Sequence, residues 1–480
     1  MLLKDLLFGT NLKTDKNFDI KGLALDSRKT ENGFLFAAVD GEKTKGNDYI
    51  LPALQNGANA IVYTGEFEIP AQYDDVAFIK SDNPAQDIAK IAANFYPSQP
   101  KYLAAITGTN GKTSIADFVR QILIRQGKKA ASIGTLGIIK NNDEPIPSPN
   151  TTPNCITIHQ WLNELSNEGF DYTIIEASSH GIEQNRIGAT KIKNAGFTNL
   201  TLDHLDYHKT MENYYNAKEK LFTNILEVGG VAVLNADIEA FSKLYDACIK
   251  SGKKVCSYGE NGKEIKLLET KPLAKGQNIT IEFFGKKTTI NIPLVGAFQA
   301  MNVLCAIGLV AAITGTNQNI IEHVPFIKGA KGRMDFVKET TSGAAIFVDY
   351  AHTPDALENA LKSLRKHTDK NLNVVFGCGG DRDNSKRPIM GEIAAKLANK
   401  VYVTDDNPRT ENAEEIRRQV MVGCPSAENI AGRDKAIAQA IKELDAGDIL
   451  LVAGKGHETG QYIMGKVYPF SDHEVILACN

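Results

Sequence analysis

The chain has 480 residues, 42% of them hydrophobic and 23% charged, with 54 basic against 57 acidic side chains and a formal net charge of −3. At a usual domain size of roughly 150 residues this length implies about three domains, and the composition excludes disordered and fibrous classes. The near-neutral balance, without a basic run, excludes an electrostatic footprint for nucleic acid or an anionic membrane, so any anionic substrate has to be held locally.

The first twenty residues carry a short apolar stretch but neither a basic n-region nor a small-residue cleavage site, and no later run is expected to span a membrane. The expected location is the cytoplasm, as a monomer. Seven scattered cysteines, none in a CxxC pair, argue against a disulfide frame or a thiolate zinc site.

Residues 1–98 read as short strands at 23–26, 34–39 and 60–63 alternating with short helices, the last at Pro84–Phe95. YPSQP at 96–100 is a turn-rich break and marks the first boundary. An apolar strand then begins at Tyr102, followed by a Gly-rich turn and an amphipathic helix through Ile115, Phe118, Val119, Ile122 and Leu123, which is how a nucleotide-binding α/β domain opens. The Pro-rich stretch 141–154 reads as a substrate-side loop. Strands follow at 172–176, 195–200 and 231–235, and a long apolar helix at 297–313 closes this domain near residue 332. From 333 to 480, strands at 345–349, 374–378, 401–404 and 449–453 separated by helical stretches predict a doubly wound third domain. The fold class is therefore α/β in three domains, 1–98, 99–332 and 333–480, with a mostly parallel central sheet and a Rossmann-like C-terminal one.

The strongest local motif is Gly108-Thr109-Asn110-Gly111-Lys112-Thr113, between a strand and a helix. Such a loop offers backbone N–H groups and a helix N-terminus to phosphate oxygens, with a lysine for the β/γ charge and a Thr hydroxyl for Mg²⁺. It matches only the second half of the standard phosphate-loop pattern, whose first glycine would fall on Ile106. Alone, it could be a plain helix cap. Glu176 ends an apolar strand where a carboxylate faces the ligand crevice of an α/β sheet and suits a Mg²⁺ ligand. His204, in DHLDYH, and Lys218, in YYNAK, taken singly read as a structural histidine and a solvated lysine. In the third domain DYAHTP, GGDRD, KRP, DNPR and GKGHE all follow expected strands. Turn chemistry explains their Gly, Asp, Asn and Pro. It does not call for Arg382, Arg387 and Arg409, which imply carboxylates or phosphates to be paired.

Taken in order, LDSR, ITGTNGKTS, NTTP, EASSHGIEQNR, DHLDYH, the YxxAK segment, GAFQAMN, KGRMD, DYAHTPDAL, GDRDNSKRP, TDDNPR and AGKGHE resemble the Mur ligases, and among them the UDP-N-acetylmuramoyl-dipeptide ligases. The likeness runs from about residue 25 to about 458. It implies a uridine-binding first domain with contacts at Leu25, Ser27, Glu42, Lys43 and Thr44. It implies ATP held by Gly108, Thr109, Asn110, Gly111, Lys112 and Thr113, with Asn302, Arg333 and His352 on the nucleoside or terminal-phosphate side. It implies Mg²⁺ on Thr113, Glu176, His204 and a Lys218 carbamylated by CO₂ to N6-carboxylysine, with Lys112, Glu176, His204 and Lys218 the catalytic set. That carbamylation needs a neutral amine and hence an environment that disfavours ammonium. It implies the sugar-peptide on Thr151, Thr152, Ser178, Gln184 and Arg186, and the incoming amino acid on Arg382, Asn407, Arg409, Gly454 and Glu458.

The implied reaction is ADP-forming amide synthesis in peptidoglycan assembly. The D-glutamate side-chain carboxylate of UDP-N-acetylmuramoyl-L-alanyl-D-glutamate attacks the γ-phosphate of ATP, and the amine of the third residue displaces phosphate from the resulting acyl phosphate. Meso-diaminopimelate carries a far-end carboxylate that lysine lacks. A desolvated Arg409 pairing with it would favour diaminopimelate by about 3 to 5 kcal/mol, and DNPR resembles the diaminopimelate-adding members. The alternatives are the same reaction with L-lysine, a folylpolyglutamate synthetase-like ligase, and a phosphate-loop ATPase or kinase that forms no amide.

Overall fold

The computed structural model describes residues 1–480 apart from Glu42, Lys43, Pro149, Ala274, Asn317, Gln318, Asn480 and the side chain of Asp206. The chain divides into two compact units, residues 1–257 with 308–316 and residues 258–307 with 317–480.

The first unit opens with a parallel sheet of β1 (Gly22–Ala24), β2 (Phe34–Ala37), β3 (Ala58–Tyr63) and β4 (Ala77–Lys80), in that order. Two apolar cores flank it, one on Leu3, Leu35, Ile79 and Ile88, the other on Phe36, Ile50 and Ile61. Helix Pro84–Phe95 has the expected bounds because its ends are specified locally. Asn83 accepts a hydrogen bond from the Gln86 N–H and Pro84 presets the first turn.

The same unit continues through β5 (Tyr102–Thr107), β6 (Ala130–Gly134), β7 (Gly137–Lys140), β8 (Tyr172–Glu176), β9 (Ile192–Phe197) and β10 (Leu226–Asn235), ordered β10-β9-β5-β8-β6-β7 and parallel except for β7. β9 stops at Phe197 rather than at the expected residue 200. Residues 198–201 leave the ladder to bond the phosphate loop: the Thr109 N–H donates to the Asn199 carbonyl, and the Thr198 hydroxyl to the Asn110 carbonyl. β11 (Lys254–Gly259) then carries the chain into the second unit.

There an antiparallel meander of β12 (Ile265–Leu273), β13 (Gly276–Phe283) and β14 (Lys286–Ile292) was not expected from the sequence. Its turn places Phe284 at φ 46° and Gly285 at φ 82°, the pair of positive angles that closes a two-residue hairpin. A six-stranded sheet follows, from β15 (Asp335–Glu339), β16 (Ala345–Asp349), β17 (Leu372–Phe376), β18 (Lys400–Val403), β19 (Glu428–Asn429) and β20 (Ile449–Ala453). Its order is β15-β16-β20-β17-β18-β19, with only β15 antiparallel, and apolar clusters on both faces make it the expected doubly wound sheet. The hairpin β21 (Gly460–Ile463) and β22 (Lys466–Pro469) completes the strands.

Helix Ala297–Thr314 corrects the expectation that no run reaches membrane-span character: its 18 residues have a mean hydropathy of 1.8. With 72% of it buried inside the protein, it is a core helix.

Candidate functional site

In the first unit the site grows from the C-terminal edge of the β5, β8 and β9 ladder. Gly108 has φ 141°, and a Cβ there would lie 1.8 Å from the Thr198 hydroxyl, so the loop can pass Thr198 only with glycine. Gly111, at φ 88°, turns the chain into helix Lys112–Arg125, whose first N–H groups have no intrahelical acceptors and face outward for an anion. The Lys112 ammonium folds back onto its own loop, donating to the carbonyls of Gly108 (2.9 Å) and Thr109 (2.7 Å).

Glu176, at the end of β8, is 2% exposed. It accepts from the Thr113 hydroxyl at 2.9 Å, the Thr135 N–H at 2.8 Å and the Thr135 hydroxyl at 3.2 Å. Gly134 makes room for this carboxylate: a Cβ there would sit 2.0 Å from Glu176 Oε1. Lys218, equally buried, donates to the Gly108 carbonyl at 2.8 Å and lies over the Tyr214 ring at 4.3 Å. Burial first, and the neighbouring Lys112 ammonium second, hold its amine well below the usual lysine range. Tyr214 links this lysine to the loop through a 3.2 Å hydrogen bond with Thr109.

His204 reaches that core through the Tyr214 ring. It sits at φ 52°, 3.5 Å from the Asp203 carboxylate, with its ring against His180 and Tyr214, and among the described residues it hydrogen-bonds to neither Glu176 nor Lys218. Among the described residues no group of three or more His, Cys, Asp or Glu side chains is placed to hold a metal ion. The fit to Mg²⁺ therefore rests on the Thr113 and Glu176 oxygens, hard donors of the kind that ion takes.

The expected sugar-peptide residues do converge. The Thr152 hydroxyl donates to the Glu176 carbonyl (2.7 Å), accepts from the Ser178 N–H (2.9 Å) and lies 3.0 Å from the Ser178 hydroxyl, while Thr151 meets Thr135 at 3.0 Å. Arg186 donates to the Thr152 carbonyl at 2.6 Å and, from Nε and Nη2, to Gln184 Oε1. Thr135 thus joins this group to the phosphate loop. It was not singled out in the sequence. Leu25 and Ser27 follow β1, Ser27 opening a short 3₁₀ turn that Asp26 caps, and Thr44 lies in the loop after β2. Glu42 and Lys43 lie outside the described residues.

In the second unit Arg333 and His352 meet around Tyr350. The Arg333 guanidinium lies 4.5 Å from the Tyr350 ring centroid, and the His352 ring is 4.6 Å from it. Half-buried His457 packs against the same ring at 5.6 Å, its pKa pushed down to about 4 by desolvation and then by Arg333. Asn302 sits in helix Ala297–Thr314 and donates to Gln299.

Of the amino-acid residues, Asn407 Nδ2 donates to Glu458 Oε2 at 2.9 Å, and Arg409, at φ 52°, donates to the Gly380 carbonyl at 2.7 Å. Gly454, at φ 118°, takes a backbone conformation that L side chains rarely adopt, and a Cβ there would lie 3.0 Å from Asp406 Oδ2. Arg382 is exposed on the loop after β17. Arg387 corrects the sequence reading. It is fully buried and its two Nη groups pair with Glu411, Gln419 and the Gly379 carbonyl, so the carboxylate it calls for is supplied by the protein itself.

Residues 19–107 match the Mur ligase family, catalytic domain; 106–310 the Mur ligase middle domain; and 332–456 the Mur ligase, glutamate ligase domain. The chain belongs to the Mur ligase family. Its α/β architecture is the three-domain one of Mur ligases. Among curated relatives, the UDP-N-acetylmuramoyl-L-alanyl-D-glutamate–2,6-diaminopimelate ligase of Bradyrhizobium diazoefficiens is 44% identical over 96% of this chain and 94% of its own. That of Caulobacter vibrioides is 44% identical over 94% of each. A solved structure of a ligase of the same name has a TM-score of 0.71 at 32% identity, covering 96% of this chain and 94% of its own. The Thermotoga maritima MurF ligase in complex with ADP, at TM-score 0.62 and 17% identity, shares the fold over 95% of this chain and 96% of its own. A folylpolyglutamate synthase from Mycobacterium tuberculosis shares it over only 77% of this chain and 91% of its own, at TM-score 0.60 and 17% identity.

Proposed function

We propose that this Mur ligase adds meso-diaminopimelate to UDP-N-acetylmuramoyl-L-alanyl-D-glutamate at the expense of ATP, in the cytoplasm, as a monomer. The observation that carries the proposal is a pair of hydrogen-bonded clusters joined where Lys112 adjoins Thr113 in the chain: Lys112 and Lys218 on Gly108, and Thr113 on Glu176, which continues through Thr135 to Thr151. It sets phosphate-binding and carboxylate-binding groups side by side, which transfer of a phosphoryl group to a carboxylate requires.

The domain boundaries lie near residues 98 and 332. Loop N–H groups from Gly108 to Lys112 take the ATP phosphates, and Lys112 leaves its carbonyl partners to follow the charge developing on the γ-phosphoryl group. Thr113 and Glu176, and with them His204, are the residues that would hold Mg²⁺, which would supply charge neutralisation at the phosphate oxygens. Lys218, desolvated and beside a second cation, has the neutral amine that CO₂ requires. Its carbamate would place a negative charge where Lys112 and a metal concentrate positive charge.

Arg186, braced by Gln184, holds the sugar-peptide so that the glutamate carboxylate meets the γ-phosphorus. A carboxylate oxygen forms the new P–O bond, ADP leaves, and the amine then attacks the acyl carbon, expelling phosphate with that oxygen. Arg333 and His352, which flank Tyr350, are assigned to ATP, and Leu25, Ser27 and Thr44 to the uridine end.

The folylpolyglutamate reading loses ground because its fold matches only part of this chain. Carboxylate-¹⁸O substrate tests the chemistry: one ¹⁸O should appear in each released phosphate. Unlabelled phosphate would overturn the acyl-phosphate route, and phosphate release without added amine would favour a plain ATPase.

A further inference from the structure

Lys455, the lysine of GKGHE, is fully buried, and nothing so far gives it a function. Its ammonium has three hydrogens, and three acceptors surround it: Asn407 Oδ1 at 3.1 Å, Glu458 Oε2 at 3.0 Å and the Gly460 carbonyl at 2.7 Å. Asp406 Oδ1 lies 3.8 Å away, buried and without a hydrogen bond. Burying a lysine in a tight glycine turn, between Gly454 at φ 118° and Gly456 at φ 55°, is costly unless the charge is used.

Those bonds fix two other side chains. Asn407 Oδ1 accepts from Lys455 and from the Tyr462 N–H at 3.1 Å, both obligate donors, so the amide cannot flip. Asn407 Nδ2 is thereby turned toward Glu458. It spends one hydrogen on Glu458 Oε2, and the second has no acceptor among the described residues. Glu458 Oε2 is filled by Lys455 and Asn407, while Oε1 accepts no hydrogen bond among the described residues. What remains is one amide N–H beside one carboxylate oxygen, a donor for a carboxylate and an acceptor for an ammonium. That pair is complementary to the two ends of an α-amino-acid zwitterion. The hairpin of β21 and β22 secures the arrangement, since the Gln461 side chain donates to the Asp406 carbonyl and the Arg409 N–H to the Tyr462 carbonyl.

We infer that Lys455 is a positioning residue for the incoming amino acid: it touches no substrate, and it locks the rotamers of Asn407 and Glu458 so that they present that pair. The inference rests on the reading of Asn407 and Glu458 as amino-acid-binding residues. The test is a double-mutant cycle in the full-length enzyme with Lys455→Met, Glu458→Gln and the double variant, plus Asn407→Ala, reading KM for diaminopimelate, ATP and the UDP-precursor separately.

Lys455→Met should raise the diaminopimelate KM at least about tenfold, the scale of one lost hydrogen bond to a charged group, and leave the other two within about twofold. The double variant removes both charges together, and its KM should exceed that of the worse single variant by no more than about twofold. Fully multiplicative effects, or a uniform rise of all three KM values, would overturn the positioning role. If Asn407→Ala and Glu458→Gln raise the amino-acid KM while Lys455→Met does not, only the role of Lys455 falls. If none of the three moves it, the amino-acid site itself is misassigned and the inference falls with it.

Discussion

Replacing Gly134 with alanine tests whether Glu176 is held where the site needs it. The new Cβ would lie 2.0 Å from Glu176 Oε1 and 2.5 Å from its carboxyl carbon, against an ordinary contact that begins at 3.4 Å, so the oxygen has to retreat by about 1.4 Å. The backbone cannot absorb that shift, because Glu176 pairs with Ile106 of β5 and its neighbours pair with β6. The side chain must move, leaving the Thr135 N–H and the Thr113 hydroxyl. Two hydrogen bonds to a charged acceptor are together worth at least about 3 kcal/mol, roughly two decades in rate if the loss is felt in the transition state. Steady-state ADP release at saturating ATP across a Mg²⁺ titration should show kcat lower by about 100-fold and half-saturation at higher Mg²⁺, while calorimetric affinity for the UDP-precursor stays within about twofold. A Mg²⁺ profile and kcat matching the parent enzyme would refute the placement of Glu176.

Lys218→Met should lower turnover by about 100-fold or more and spare UDP-precursor binding, and stripping bicarbonate from the parent enzyme should slow it reversibly; full activity of the variant removes the carbamate. Arg409→Ala should raise the diaminopimelate KM by about 100-fold, with the ATP KM unchanged, if the guanidinium meets the far-end carboxylate. His159, buried at 3% exposure, has its pKa pushed down to about 4, chiefly by desolvation. The unfolded chain therefore takes up a proton near pH 6.5 that the native protein refuses, and stability present above that pH is lost as pH falls from about 6.5 to about 4, by at most about 3 kcal/mol. Urea titrations of His159→Leu should show a flatter pH dependence across that window, and an unchanged slope would contradict this assignment.

The sequence was most legible where local chemistry and burial agree. Pro84–Phe95, β5, β8, β16 and β20 have the bounds that capping and short apolar runs predict. The meander β12 to β14 went unread because its alternation of Ile279, Ile281 and Phe283 lies among Thr, Lys and Glu, in a stretch where strands were expected to alternate with helices. At the site, the motifs pointed to Lys112, Glu176, Lys218 and Arg186, although Lys218, which taken singly reads as solvated, is buried. Thr135, Tyr214, Gly134 and Lys455 were not legible, because each acts by touching a residue far away in sequence: Gly134 and Thr135 reach Glu176, and Tyr214 reaches Thr109. Arg387 shows the converse. Its motif suggested a ligand, and only the fold reveals that Glu411 already satisfies it.

The most direct test of the central claim is the mass of the product formed from ATP, Mg²⁺ and UDP-N-acetylmuramoyl-L-alanyl-D-glutamate with diaminopimelate or lysine supplied separately. The account predicts a UDP-tripeptide heavier than the precursor by one diaminopimelate less one water, with little or none from lysine. Equal yields from the two amino acids, or ADP without any amide product, would contradict it.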